Sequence, residues 1–122
     1  MSNANLPSKV SVIVLGVSDL SKSVAFYRDV VGLEFKGQHE VLAFFSISGL
    51  TLMLNGNLRR GDGPLAGASE IVCSVESVTG AHELLTQRGA NFINKPREVT
   101  QGSWACTMAD PDGHYLSVFG PK

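Results

Sequence analysis

The chain repeats one pattern of residues twice, and this internal repeat restricts its fold more than any other feature. Residues 17–35 align with residues 75–92 when one position is deleted before the glycine, so that Gly32 corresponds to Gly89. In each copy an apolar, β-branched run comes first and is followed by apolar residues at helical spacing. A unit that recurs in this way is one supersecondary element used twice, with a core shared between neighbouring copies.

Each copy predicts a strand, a helix and then three further strands. Asp19 or Ser18 precedes the first helix and Ser77 precedes the second, and each offers a side-chain oxygen to the first helical turn. A glycine, which tolerates the left-handed conformation, closes each helix. The extended segments after the helices are residues 34–39, 41–47 and 50–54 in the first copy and residues 91–94, 104–109 and 115–119 in the second. The predicted fold class is therefore α+β, built from two β-α-β-β-β modules.

The two modules are expected to form a single domain over residues 1–122. The first repeat covers about residues 8–56 and the second about residues 68–120, and a connector rich in Gly and Pro joins them at 57–67. Hydrophobic residues make up 43% of the chain and charged residues 17%, a composition typical of a globular protein. The net charge is −1 with both signs interspersed, which argues against a nucleic-acid partner.

Several features favour a cytoplasmic protein without a membrane partner. No apolar run is long enough to cross a bilayer, and the first ten residues lack the apolar core of a signal peptide. Cys73 and Cys106 lie in apolar, strand-like segments and are expected to be reduced thiols in the core. Neither a CxxC nor an HExxH motif occurs, so no zinc site of those types is predicted.

Strand alternation divides the predicted sheets into two faces. The pair Ser48-Gly49 is a two-residue hairpin signal, which places Ile47 opposite Leu50. The face that contains Ile47 and Leu50 is uniformly apolar and is expected to pack against the helices. The other face mixes apolar, aromatic and polar side chains, namely Val12, Val14, Phe44, Ser46, Met53, Asn55, Glu70, Val72, Ser74, Tyr115, Ser117 and Phe119. A face of this kind lines a cavity or an interface, so we expect a ligand or a second subunit to cover it.

Two motifs resemble the vicinal oxygen chelate superfamily, which includes glyoxalases, bleomycin-resistance proteins, fosfomycin-resistance enzymes and extradiol dioxygenases. Residues 17–33, VSDLSKSVAFYRDVVGL, are similar to the family pattern V-x-D-L-x-x-S-x-x-F-Y-x-x-x-L-G-L, and residues 110–114 read DPDGH. The resemblance covers nearly the whole chain. It implies curved sheets around a cleft, with the helices on the outer face, and a homodimer.

The resemblance also implies where a metal site would lie. Metal-dependent members bind a divalent ion with His or Glu at one position on each of four strands, and these positions correspond here to Val12, Met53, Glu70 and Ser117. Glu70 is the one strong ligand among them, because valine has no donor atom, a thioether is too soft and a neutral hydroxyl is weak. We therefore expect no metal site of the family type and no cofactor.

Other residues capable of chemistry have structural explanations. His39, His82 and His114 are interpreted as surface or structural histidines, since no Ser/His/Asp or Cys/His constellation can be assembled from neighbouring strands. Arg59 and Arg60 in the connector could reach an anionic ligand, although a solvated pair in a loop is the simpler interpretation. No catalytic residue is assigned.

Three functions from different classes fit these observations. The first is a small-molecule-binding protein resembling bleomycin-resistance proteins, which sequesters an apolar or aromatic ligand and offers Glu70 to a cationic group. The second is an enzyme, either a glyoxalase-like lyase or isomerase or a dioxygenase with an altered or absent metal site, or a metal-free catalyst that uses Glu70 as a base. The third is a structural or regulatory subunit without a ligand. The residues expected to bind the ligand are Val12, Phe44, Met53, Asn55, Glu70, Val72, Tyr115, Ser117 and Phe119.

Overall fold

The computed structural model describes residues 10–61, 63 and 67–122, which form nine strands and two helices. The strands are β1 (Val12–Gly16), β2 (Glu34–His39), β3 (Leu42–Ile47), β4 (Leu50–Asn55), β5 (Glu70–Ser74), β6 (Asn91–Phe92), β7 (Arg97–Thr100), β8 (Ser103–Ala109) and β9 (Tyr115–Gly120). The helices are α1 (Leu20–Ala25), which continues into a π-helical turn over Phe26–Val30, and α2 (Val78–Gln87). The predicted start of the first repeat at residue 8 and part of the predicted connector, positions 62 and 64–66, lie outside the described residues.

Each module contributes one sheet. The first sheet has the strand order β1-β4-β3-β2, and the second has the order β5-β9-β8-β6, with β7 also paired to β8. In both sheets the first strand of the module runs parallel to the last, and the remaining pairs are antiparallel. The α+β fold with a repeated module is therefore confirmed. Within residues 10–61, 63 and 67–122, neither helix has the length and apolar character needed to cross a membrane.

The predicted hairpin register between β3 and β4 is confirmed. Ile47 lies opposite Leu50, and the two turn residues Ser48 and Gly49 have φ values of 50° and 78°. Positive φ at both central positions is the type I′ geometry that matches the twist of the flanking strands. Because paired residues share a face, this turn fixes which side chains of the hairpin enter the core, and Phe45 is fully buried.

The helices begin where the sequence predicts. The carboxylate of Asp19 accepts a hydrogen bond from the backbone N–H of Lys22 at 3.1 Å, and the Ser77 hydroxyl accepts one from Gly80 at 3.0 Å. Asp19, rather than Ser18, is therefore the N-terminal cap of α1. Gly32, which follows the first helix, has a φ of 84°, in the left-handed region that favours glycine.

The π-helical turn after α1 was not predicted, and the repeat explains it. The first copy has one more residue before its glycine than the second, and a π turn holds one residue more than an α turn. The backbone N–H of Val31 accordingly donates to the carbonyl of Phe26, five residues earlier, at 3.0 Å. Phe26 and Tyr27, which are adjacent in sequence, are both buried as a result.

The second module contains one more extended segment than predicted. β6 and β7 both pair with β8, but in registers that differ by two residues, so they form one interrupted edge strand. Pro96, which lies in the interruption, has no N–H to donate to a ladder. The side chain of Asn94 replaces part of the missing pairing, because its Oδ1 accepts the backbone N–H of Thr107 at 2.9 Å.

The DPDGH segment at 110–114 ties the second module to the first. Gly113 donates its backbone N–H to the carbonyl of Asp110 at 3.0 Å, which closes the predicted turn. Asp110 accepts a hydrogen bond from the Tyr27 hydroxyl at 2.7 Å, and Asp112 accepts one from the backbone N–H of Ser18 at 3.0 Å. His114 Nε2 lies 2.7 Å from the carbonyl oxygen of Gly16 and must donate to it. These contacts hold the beginning of the first helical segment against the second sheet.

Candidate ligand-binding site

The face opposite the helices is apolar and open. Val72 and Tyr115 on the second sheet are 55% and 46% exposed, and Val12 on the first sheet is 43% exposed, although all three are large apolar or aromatic side chains. The structure joins several of the predicted binding residues across strands, since Glu70 lies opposite Tyr115 and Val72 opposite Ser117. We call this surface the cleft face, and it consists of the twelve residues assigned to it from strand alternation.

Three side chains form a chain of hydrogen bonds on the cleft face. Ser117 donates to Glu70 Oε2 at 2.8 Å, and the hydroxyls of Ser117 and Thr107 are 2.6 Å apart. Because Ser117 has one hydroxyl hydrogen and gives it to Glu70, Thr107 must be the donor in the second bond. Ser117 is only 5% exposed, whereas Glu70 is exposed. The buried Ser117 hydroxyl thus holds the Glu70 carboxylate in place, and the carboxylate remains exposed on the cleft face.

Thr107 was missing from the predicted site. It lies directly opposite Ser117 in the pairing of β8 with β9, so both side chains point to the same face. Alternation along β8 contains the signal, since Cys106 and Met108 on either side of Thr107 are buried in the core. A threonine between two core residues of a strand must face the other side of the sheet.

The other predicted binding residues differ in how available they are. Phe44 lies opposite Met53 on the first sheet, and both are partly exposed. Asn55 is at the end of β4, where its Oδ1 accepts the backbone N–H of Asn57 at 2.8 Å. This bond makes Asn55 part of a turn and leaves its amide nitrogen as the group free to face a ligand. Phe119 lies at the far end of β9 and is 38% exposed.

The side chains at the four family ligand positions do not fit a divalent ion. Val12 offers no donor atom, and Met53 offers a thioether. The Ser117 hydroxyl already donates to Glu70 and accepts from Thr107, and Glu70 is the only carboxylate of the four. Across residues 10–61, 63 and 67–122, no group of three or more His, Cys, Asp or Glu side chains is arranged to hold a metal.

The histidines occupy different environments. His114 bonds to the Gly16 carbonyl and belongs to the contact between the modules. His82 packs against Phe92 with ring centroids 4.5 Å apart, and His39 is exposed at the end of β2, near Glu40. In the connector, Arg59 bonds back to the carbonyl of Gly56 at 3.0 Å. The structure therefore shows none of these four side chains on the cleft face.

Both cysteines are free thiols, as expected of core positions. Cys106 is buried and Cys73 is partly buried, and burial raises the pKa of each thiol above its usual value. A thiol with a raised pKa forms little thiolate at neutral pH and is a poor nucleophile.

A separate groove of about 600 Å³ lies on the helix side of the sheets, between the two modules. Its lining includes Ile13 of the first module and Ile71 and Cys73 of the second, all on the faces that pack toward the helices. Of the nine residues predicted to bind a ligand, only Val72 contributes to this lining. Ser74 of the cleft face also lines the groove, so the two surfaces share Val72 and Ser74 of β5 and otherwise consist of different residues.

The fold consists of two β-α-β-β-β modules, and three of the four positions that bind a metal in related proteins have side chains unsuited to a divalent ion. Comparison with known proteins identifies the family. The sequence profile of the Glyoxalase/Bleomycin resistance protein/Dioxygenase superfamily matches residues 9–118, so the chain belongs to this superfamily. The resemblance to vicinal oxygen chelate proteins is confirmed at that level.

Individual relatives are more distant. The metallothiol transferase FosB of Staphylococcus haemolyticus is 37% identical over 46 residues, which are 38% of this chain and 33% of that protein. The FosB protein of Lysinibacillus sphaericus is 26% identical over 108 residues, covering 86% of this chain and 77% of the relative. The first match thus spans only about a third of the relative's length. Among solved structures, the lactoylglutathione lyase of Agrobacterium tumefaciens superposes with a TM-score of 0.73 at 23% identity, covering 93% of each chain. At this identity the likeness shows the fold alone.

Proposed function

We propose that the protein binds a small apolar or aromatic molecule that carries a positive charge, on the cleft face and without a metal ion. In this it would resemble the bleomycin-resistance branch of the superfamily. The observation that carries the proposal is the Glu70 carboxylate, which Ser117 holds on a face that is mainly apolar and has no other charged side chain. An ionised carboxylate accepts hydrogen bonds and cannot donate them. Because it carries a negative charge, it favours a cationic donor over a neutral one.

The exposure of Glu70 determines how the charge must be used. An ion pair in open water contributes little, because solvent screens both charges. The pairing strengthens when the apolar part of the ligand covers Tyr115 and Val72, which flank the carboxylate, and excludes water from it. A second copy of the chain would exclude water in the same way. The proposal therefore includes a homodimer whose subunits share the cleft, in a cytoplasmic setting.

Titration of the purified protein against planar cationic compounds and their neutral analogues tests the proposal. Glu70→Gln should weaken the binding of the cations by about 1–3 kcal/mol and leave the neutral analogues nearly unchanged. Tyr115→Ala should weaken both by about 1–3 kcal/mol, because it removes buried aromatic contact. Glu83→Gln, which changes an exposed carboxylate on α2, is the matched control and should change neither.

Two results would contradict the proposal. If Glu70→Gln weakened cationic and neutral compounds equally, the carboxylate would organise the cleft and would not recognise charge. If no compound bound at all, the cleft face would be an interface between subunits.

An enzymatic function is the second candidate, and the similarity to metallothiol transferases over most of the chain favours it. The candidate activities are those of a glyoxalase-like lyase or isomerase, a dioxygenase or a transferase with an altered metal site, in which Glu70 would act as a base. Turnover of a bound compound by the wild type, abolished in Glu70→Gln with binding retained, would establish this alternative. Binding without turnover, with and without added Mn²⁺ or Zn²⁺, would exclude it for that compound.

A further inference from the structure

The groove on the helix side is a region where side chains that face the core are not fully covered. Its floor consists of Ile13, Ile71 and Cys73, and the end of the first helical segment and α2 form its walls. These floor residues are only partly buried, although they lie on the faces of β1 and β5 that pack toward the helices. On the α2 side Leu84 lines the groove and is 49% exposed. The groove therefore exposes apolar side chains from both modules.

One cation stands at this apolar surface. Arg88, which follows α2, is the only charged residue among the described residues that line the groove. Its side chain reaches across to the first module, where Nη1 would lie 3.2 Å from a Cβ atom added to Gly32. Within the described part of the chain, the structure shows no ion pair or side-chain hydrogen bond for Arg88. The guanidinium is therefore available to an anion at the rim.

We infer that the groove binds an anionic amphiphile, a molecule with a linear apolar chain and a terminal carboxylate. The chain would displace water from the aliphatic walls, and the carboxylate would pair with Arg88, whose planar guanidinium matches it in shape. A volume of about 600 Å³ falls within the range of small-molecule sites. An amine of the same length would place its charge against Arg88 and is disfavoured. The site differs from the cleft face, where the fixed charge is negative.

Titration with straight-chain carboxylates from hexanoate to dodecanoate, below their micelle concentrations, tests the inference. Affinity should rise about fourfold for each added methylene until the groove is full, which is the effect of burying one such group. Each carboxylate should bind about two- to fivefold more tightly than the alcohol of the same length, as expected for an ion pair at an exposed arginine. Isothermal titration calorimetry measures both trends.

Variants separate this groove from the cleft face. Arg88→Gln should remove the preference for carboxylate over alcohol, whereas Arg97→Gln, at an exposed arginine on the edge strand β7, should keep it. Ala81→Phe, which places a ring in the groove, should weaken every ligand of the series at least tenfold. Tyr115→Ala, on the cleft face, should have no effect on this series.

Cys73 provides a measurement that needs no variant. It lines the groove, whereas Cys106 is buried, so bound carboxylate should slow the labelling of Cys73 by a thiol reagent. This readout also decides the case if Ala81→Phe does not fold.

Three outcomes would overturn the inference. The first is equal affinity for carboxylates and alcohols, and the second is loss of binding in Tyr115→Ala with no protection of Cys73. The third is a dimer in sedimentation in which Cys73 is protected without any ligand, because a second copy would then cover the groove. The carboxylate series tests Arg88 and the planar cations test Glu70, so failure of this site can be distinguished from failure of the proposed function even though both surfaces include Val72.

Discussion

Replacing Tyr27 by Phe isolates the hydroxyl that connects the two modules. The Tyr27 side chain is 1% exposed, and its hydroxyl donates to Asp110 Oδ2 at 2.7 Å. Phenylalanine keeps the ring and its edge-on packing against Phe26. Asp110 still accepts the backbone N–H groups of Asp112 and His114, so its carboxylate is not left without donors. A hydrogen bond to a charged group contributes about 1.5–3 kcal/mol, and we expect Tyr27→Phe to lower the free energy of unfolding by about 2 kcal/mol at neutral pH.

The pH dependence gives a second, independent expectation. Burial raises the pKa of the Tyr27 hydroxyl far above its ordinary value, and the charge of Asp110 raises it further. In the unfolded chain the same hydroxyl ionises near pH 10. Above that pH the unfolded state therefore binds fewer protons than the folded state, and the stability of the wild type falls by about 1.4 kcal/mol per pH unit from this group. The contribution is complete below about pH 10 and is lost as the pH rises toward the folded-state pKa.

Phenylalanine does not ionise, so the difference between wild type and Tyr27→Phe isolates this effect from every other titrating group. An advantage of about 2 kcal/mol at neutral pH should shrink above about pH 10 and disappear near pH 11.5. Urea unfolding followed by circular dichroism at several pH values measures it, and Tyr115→Phe, at a partly exposed tyrosine, is the control. A Tyr27→Phe protein as stable as wild type at neutral pH would refute the reasoning, and so would a difference that stays constant up to pH 11.5.

Three further predictions concern packing, metal content and assembly. Gly16→Ala should destabilise the fold by about 1–3 kcal/mol, because a Cβ atom would lie 2.6 Å from the carbonyl oxygen of Leu58. Gly56→Ala meets Val41 at an ordinary 3.5 Å and should change stability much less, and thermal unfolding compares the two variants. Elemental analysis of the purified protein should find well under one divalent metal ion per chain; about one ion per chain, lost in Glu70→Gln, would contradict this. Sedimentation should show a homodimer at micromolar concentration, and a monomer without ligand would count against the shared cleft.

The elements of the fold could be predicted from the sequence because their signals are local. The turn formed by Ser48 and Gly49 fixes the register of β3 and β4, and alternation then assigns each side chain of the hairpin to one face. The caps Asp19 and Ser77 act within one helical turn, and both are confirmed. A feature whose cause lies within a few residues can be recognised without knowing the rest of the structure.

The structural features that the sequence did not predict depend on residues far apart in the chain, or on how the backbone accommodates one extra residue. The extra residue before Gly32 is visible in the repeat, but a loop, a bulge or a π turn would each accommodate it. The role of His114 depends on Gly16, almost a hundred positions earlier in the chain. The groove depends on how the two modules pack, which neither copy of the repeat specifies alone.

The repeat also shows that the two halves of the cleft face have become chemically different. Met53 lies opposite Val14, two residues beyond Val12, and Ser117 lies opposite Val72, two residues beyond Glu70. Val12 and Met53 therefore occupy the same diagonal position in the first sheet as Glu70 and Ser117 in the second. The first pair is entirely apolar, and the second is a carboxylate hydrogen-bonded to a hydroxyl. A ligand on the proposed cleft face would meet a negative charge over the second sheet and aliphatic side chains over the first. Since exchanging the ends of a bound cation would place its charge against Val12 and Met53, the asymmetry favours a single orientation for such a ligand.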